Sequence, residues 1–291
     1  MRVFDWSQFM EGALLNEPAR GGTAMTIGVF DGVHRGHQAL IGEIVQQAPC
    51  GIPTVITFKQ NPKKVLRPGE YQGDIVGLDR KMIIFEALGV ELVILIDFSK
   101  EFSKLNGRDF IGCLKGRGRL VFLAVGADFR CGSGLDTDVS EIKKFSRETG
   151  VKTEVVPPVT EGGLPVSSSR IRGAVSAGDL DQAAALLGRR VEIDLTGVSP
   201  RSGSDGLFYD ARSHHRLLPP PGRYGVLFYG PRNAGGTEAD VLIDGTGVFI
   251  PSLNRAERIE FIKRGGFKAL AGITVKAGLE TTEFAAGGGI F

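Results

Sequence analysis

Apolar positions follow two rhythms along this chain. Short β-like runs recur at residues 26–30, 53–58, 91–96, 119–125 and 151–156. The run at 91–96, ELVILI, suits a strand buried on both faces, as in parallel sheets. Between them, apolar residues recur three and four apart. Leu40, Ile41, Ile44 and Val45 form one such stripe, and Met82, Ile83, Phe85, Ala87 and Leu88 mark another helix over 78–88. That spacing predicts helices, as it does more briefly at 108–115 and 139–149. Strands alternating with helices from 26 to 156 predict an α/β domain, a parallel sheet with helices on both faces. A short strand is expected within 2–9, and loops at 16–22, 59–73 and 126–135. Two short helices are expected within 165–188, the second with Asp179 as its N-cap.

Around residues 189–200 the pattern changes. Short β-like runs at 224–229, 241–243, 247–250 and 258–263 stand among Gly, Pro and aromatic residues and predict a small β-barrel-like domain. The expected organisation is therefore a domain over 1–188 and a second over 189–291. The length of 291 residues agrees with two domains at about 150 residues each. Hydrophobic residues make up 42% and charged residues 23%, which suits a chain able to bury a core. A net charge of +2 gives no reason to expect nucleic acid or an acidic membrane surface as partner. The three cysteines, Cys50, Cys113 and Cys131, are far apart and form neither a disulfide framework nor a zinc motif. A reducing cytoplasm is the natural setting for such a chain. The opening stretch does not read as a signal peptide, and no apolar run approaches the length of a membrane span.

The chemistry concentrates at residues 25–44. After Ile27, Val29 and Phe30, the pair Asp31 and Gly32 marks a turn, and the helical stripe follows. His34 and His37, two of the four histidines, stand at the helix start. Unpaired N–H groups and the helix dipole make such a start an anion site. Histidines three apart can share one side of a helical turn, and Gly36 between them lets a bulky group approach the backbone. Donors aimed at phosphate would stabilise charge developing in a transition state. The pair also fits half a metal site, although Cys50 and the absence of a nearby third histidine make a poor ligand set. Two ordinary surface residues at a helix start are the remaining reading. Ser167, Ser168 and Ser169 ahead of Arg170 and Arg172 form a second cluster, either a phosphate cradle or a plain helix cap.

The string FDGVHRGHQ resembles the HxGH signature of the nucleotidyltransferase superfamily. In this longer form it is similar to the adenylyltransferase half of bacterial bifunctional riboflavin kinase/FAD synthetases. Residues 167–172 resemble that family's SSTRIR motif, with Ser169 in the Thr position. Residues 126–132 resemble its GxDFxFG loop, with Cys131 in place of an aromatic. Residues 57–66 resemble TFxPHPxxVL, with Gln60 replacing a proline and Asn61 the histidine. The resemblance covers 26–188 and implies a Rossmann-like nucleotidyltransferase domain. The reaction it implies transfers AMP from ATP, with Mg²⁺, to FMN, giving FAD and pyrophosphate. It implies catalytic roles for His34, His37 and Arg172. ATP contacts are implied for Gly28, Phe30, Asp31, Gly32, Ser167, Ser168, Ser169 and Arg170, and flavin contacts for Asn61, Asp128 and Phe129. No protein metal ligand is expected. Asn61 can hydrogen-bond but cannot carry charge, which shifts the expected dependence toward Lys63 and Lys64.

In the tail, residues 217–226 resemble the family kinase domain's LLPxxGVY. The GFPTAN phosphate and metal motif should precede it, yet residues 207–212 carry Asp210 at the Thr position and Arg212 at the Asn position. An anion and a bulky cation there should disturb an ATP–magnesium pocket. No convincing kinase base follows, although Glu257 and Glu260 are available. The expectation is a kinase-like β domain without kinase activity. The alternatives are a fully bifunctional enzyme, an adenylyltransferase of the same fold acting on pantetheine phosphate or nicotinamide mononucleotide, and a non-catalytic flavin- or nucleotide-binding regulator.

Overall fold

A computed structural model describes residues 1–14, 21–203, 205–231, 235–251 and 254–262, with the backbone of 275–277 and 280–282. Residues 16–20 of the expected first loop and Lys263 of the last expected run lie outside the described residues. The packing divides the chain into two units, Met1–Tyr71 with Leu78–Val166, and Gln72–Gly77 with Ser167–Phe291.

The first unit opens with β1 (Arg2–Asp5) and α1 (Trp6–Met10). The strand expected within 2–9 ends at Asp5 because Asp5 and Gln8 form a capping box that starts a helix. Then follow β2 (Thr23–Ile27), α2 (Arg35–Gln46), β3 (Ile52–Phe58), α3 (Pro62–Leu66), α4 (Leu78–Ala87) and β4 (Leu92–Ile96). They continue with α5 (Gly107–Gly118), β5 (Leu120–Gly126), β6 (Arg130–Cys131), β7 (Thr137–Asp138), α6 (Val139–Thr149) and β8 (Lys152–Val156). The hairpin β9 (Thr160–Glu161) and β10 (Leu164–Pro165) closes the unit. The expected loop at 59–73 holds α3, because Asn61 caps it and Pro62 presets the helical φ at its first position.

The six-stranded sheet runs β1-β4-β3-β2-β5-β8, and every pairing is parallel. Successive residues of a strand point to opposite faces, so each strand feeds two cores. Met25, Ile27, Ile56, Ile94 and Leu123 pack with Phe9 of α1, Ile111 and Leu114 of α5 and Ile142 of α6. Ala24, Val55, Val93, Phe122 and Ala124 pack with Ile41 and Ile44 of α2 and Phe85 of α4. The chain runs outward from β2 through β3 to β4, then returns to β5 on the other side of β2. The sheet's switch point therefore lies at the carboxyl end of β2, where open α/β sheets bind ligands.

The second unit begins with α7 (Ser168–Ser176) and α8 (Leu180–Leu187). Asp179 caps α8, its Oδ1 accepting from Gln182 N at 3.0 Å. The remaining strands are β11 (Glu192–Asp194), β12 (Arg201–Ser202), β13 (Leu207–Tyr209), β14 (Gly222–Tyr229), β15 (Thr237–Ile243), β16 (Val248–Ile250), β17 (Arg258–Phe261), β18 (Val275–Ala277) and β19 (Glu280–Thr282). A seven-stranded antiparallel sheet of order β11-β17-β14-β15-β16-β13-β12 forms the expected barrel-like part. The two helices belong to this unit, so the packing divides the chain after Val166. Arg172 Nη2 donates to the Gly73 carbonyl at 3.1 Å, and Leu217 N donates to the Asp74 carbonyl at 3.1 Å. The segment Gln72–Gly77 is thus stitched to residues far along the chain.

Candidate active site

At the end of β2 the backbone turns sharply. Gly28 N donates to the Ile56 carbonyl at 3.1 Å, a backbone tie to β3. Phe30 (φ 51), Gly32 (φ 84) and Val33 (φ 40) then occupy the left-handed region. A non-glycine residue there costs about 1–2 kcal/mol, and a β-branched one is rarer still. Packing and hydrogen bonds hold the turn. Phe30 and Val33 are fully buried, Val33 N donates to the Phe30 carbonyl at 3.1 Å, and Gln38 Nε2 donates to the Val33 carbonyl at 2.9 Å.

The turn delivers His34 to the start of α2, where it serves as N-cap. Its ring Nδ1 accepts from His37 N at 3.4 Å, a long cap. The His34 and His37 rings stack at 3.6 Å with planes 16° apart. Phe30 meets His37 edge-on at 5.0 Å and Phe85 stands edge-on to Phe30 at 5.5 Å. Phe30 is thus a prop under the imidazoles, buried in the core. Arg35 pairs with Glu161 of the β9–β10 hairpin.

Asp31 is buried, and Asn61 Nδ2 donates to its Oδ2 at 3.3 Å. Asn61 Oδ1 accepts from Lys63 N at 3.1 Å. The amide that stands in the histidine's place therefore ties α3 to the turn after β2. Asn61→Ala is expected to lower stability by about 1–2 kcal/mol, one helix cap plus one buried donor, read from urea unfolding.

On the α1/α5 side of the same sheet edge lies a cavity of about 670 Å³. Ile27, Gly28 and Val29 form its floor at the end of β2, and its walls carry Phe58, Phe98, Phe102, Phe110 and Phe129. Such aromatic walls suit a flat ring system. Cys131 also lines it, and burial, with the Asp136 carboxylate adding to it, pushes this thiol up to about 12. The thiol thus stays protonated, and iodoacetamide at pH 8 is expected to label exposed Cys50 and leave Cys131 unmodified, read by peptide mass.

Of the sequence candidates, Gly28, Phe30, Asp31, Gly32, His34 and His37 come together on the β2–α2 turn, with Asn61 beside it. Phe129 lines the cavity, whereas exposed Asp128 does not. Ser167, Ser168, Ser169, Arg170 and Arg172 lie in the second unit at the start of α7, where Ser167 Oγ accepts from Arg170 N at 3.3 Å. Lys81 belongs to no motif, and sequence reasoning misses it. It occupies the inward stripe Leu78, Lys81, Met82, Phe85 of α4, and a charge at an apolar position is the one signal it gives. Among the described residues no group of three or more His, Cys, Asp or Glu could hold a metal, and no helix is long and apolar enough to cross a membrane.

A family model described as FAD synthetase matches residues 16–170, more than half of the chain. The chain belongs to the FAD synthetase family. The FAD synthetase match begins before β2 and ends within α7, so it takes in both His34/His37 and Ser167–Arg170. Relatives from Escherichia coli K12 and Pseudomonas fluorescens, each described as a bifunctional riboflavin kinase/FMN adenylyltransferase, are 32% identical over 177 and 189 residues. These alignments cover 60% and 64% of this chain and 56% and 60% of the relatives, so the chain matches less than two thirds of their length. A crystal structure titled macrolide-efflux protein, from Streptococcus pneumoniae, superposes with a TM-score of 0.75 at 20% identity, over 93% of both chains. At that identity it bears on the fold alone.

Proposed function

We propose that this FAD synthetase family member is an FMN adenylyltransferase, joining the AMP part of ATP to FMN. The observation that carries the reading is the stacked His34–His37 pair at the sheet's switch point, at the same strand end that floors an apolar, aromatic-walled cavity. In this reading the isoalloxazine ring occupies the cavity, and the FMN phosphate crosses the strand end at Gly28 toward the imidazoles. Having no side chain, Gly28 permits that close approach.

The FMN phosphate has a second pKa of about 6 and is largely dianionic at neutral pH. One of its oxygens attacks the α-phosphorus of ATP. A new P–O bond forms, the bond from that phosphorus to the bridging oxygen breaks, and pyrophosphate leaves with the electron pair. No general base is needed. Catalysis then reduces to orientation and neutralisation of charge on the α-phosphoryl oxygens, the role assigned to His34 and His37. Residues 167–172 are assigned the pyrophosphate, with Arg170 and Arg172 as cationic donors. Magnesium enters as part of the substrate, MgATP.

The second half of the proposal is that riboflavin kinase activity has been lost. Arg212 Nη1 donates to the Gly245 carbonyl at 3.0 Å, and Asp210 pairs with Arg201 at 3.7 Å. Both side chains at the expected kinase-motif positions are thus drawn into local contacts. The deciding assay supplies purified protein and MgATP with either FMN or riboflavin. FMN should give FAD and pyrophosphate, and riboflavin should give no FMN. Absence of pyrophosphate in the first arm overturns adenylyl transfer, and FMN in the second overturns the kinase loss.

A further inference from the structure

Lys81 lies in the middle of α4 and is only 7% exposed. Charged side chains are seldom buried to this degree without a specific partner. Its ammonium donates to the Val29 carbonyl at 3.0 Å, and the same oxygen accepts from Thr57 Oγ1 at 3.2 Å. Val29 is the residue immediately before the left-handed stretch that begins at Phe30. The carbonyl that opens the strained turn is therefore gripped by a buried cation from α4 and a hydroxyl from β3.

A backbone held in sparsely populated conformations persists only where its surroundings over-determine it. The hydrophobic anchors Phe30 and Val33 fix the turn's side chains, but they do not orient the peptide plane at Val29. A charge-assisted hydrogen bond does that, and more strongly than a neutral donor would. Phe85, one helical turn after Lys81, packs on Phe30, so the same face of α4 braces both the backbone and the ring of the turn.

We propose that Lys81 is a positioning residue for the adenylyl-transfer site: its ammonium, bonded to the Val29 carbonyl, locks the turn that sets His34 and His37 in their stacked pose. The kinetic half rests on the activity proposed above, while the locking of the turn is testable in the protein alone. Hydrogen exchange reads the lock directly through two amides, Val33 N–H to the Phe30 carbonyl and His37 N–H to His34 Nδ1.

Lys81→Met keeps the length of the stem and removes the donor. Exchange at Val33 and His37 should accelerate about tenfold, with the β4 and β5 amides unchanged. The kcat for FAD formation should fall about tenfold with KM for ATP changed less than about twofold, since misplaced groups act on the transition state. Lys81→Arg, which retains a cationic donor, should recover most of the lost kcat. Thr57→Val should move exchange in the same direction by about threefold, as expected for loss of a neutral bond. Unchanged exchange in folded Lys81→Met overturns the proposal. A loss of kcat with unchanged exchange overturns it too, because the ammonium would then act on substrate directly. If Lys81→Met does not fold, Thr57→Val decides, and unaltered exchange at both amides overturns the lock. Should the native protein form no FAD, the adenylylation reading falls while the exchange result still judges the lock.

Discussion

Replacing His37 with alanine lowers kcat for FAD formation by about a hundredfold, the scale for removing one preorganised transition-state donor. The ring, not the backbone, is what this substitution deletes. The cap that starts α2 uses His37 N–H and the His34 ring, and both remain in His37→Ala. The helix start should therefore survive, and thermal unfolding should shift little. His34→Ala is different, because it removes a donor and the cap together and adds about 1 kcal/mol of destabilisation. The two variants separate chemistry from folding. Since the proposed contact strengthens as charge builds on the α-phosphoryl oxygens, kcat and kcat/KM should fall together while KM for ATP stays near its native value. FAD formation at the native rate in His37→Ala would remove the imidazole pair from the mechanism.

Much of this corner is legible in the amino-acid sequence. The strands β2 to β5 are buried on both faces and read as apolar runs, and a glycine turn followed by a helical stripe locates His34 and His37. The order of the strands is not legible, because parallel pairing joins residues far apart and leaves no local signature. The cavity is invisible for the same reason. Phe58, Phe98, Phe102, Phe110 and Phe129 come from different loops and elements, and only the folded sheet gathers them.

Short elements escape the sequence where their signals are too brief. Asn61 followed by Pro62 is a helix start in miniature, but α3 lasts only five residues. Gly162 and Gly163 mark the β9–β10 turn, yet the flanking strands of two residues each give no alternation to read. Gln72–Gly77 joins the second unit through pairing with residues near 215, and no local pattern announces such a pairing. Asn61 shows the widest gap between motif and neighbourhood. As a motif position it suggests flavin contact, whereas both ends of its amide serve the protein's own backbone and Asp31.

Gly36 should behave as a residue kept for activity more than for stability. It sits in the first turn of α2 with no left-handed backbone angle, so alanine is sterically acceptable to the helix and should favour it by about 0.5–1 kcal/mol. A Cβ at this position, however, would stand 3.3 Å from both Cε1 and Nδ1 of the His34 ring. His34 is 6% exposed and its ring is stacked on His37, so the ring has little room to retreat. Gly36→Ala should shift it by a few tenths of an ångström and lower kcat roughly tenfold. Gly36→Val adds methyl groups beyond the Cβ, should force the ring out of the stack, and should lower kcat by about a hundredfold, the loss expected of a displacement near 1 Å. Thermal unfolding should shift little for alanine, the helix's gain offsetting the crowding of the ring, so that activity falls without a matching loss of stability. Native kcat in both variants would mean that the position of the His34 ring is immaterial to the reaction. Losses of kcat and stability in parallel would mean that the glycine serves folding and not the stacked pair.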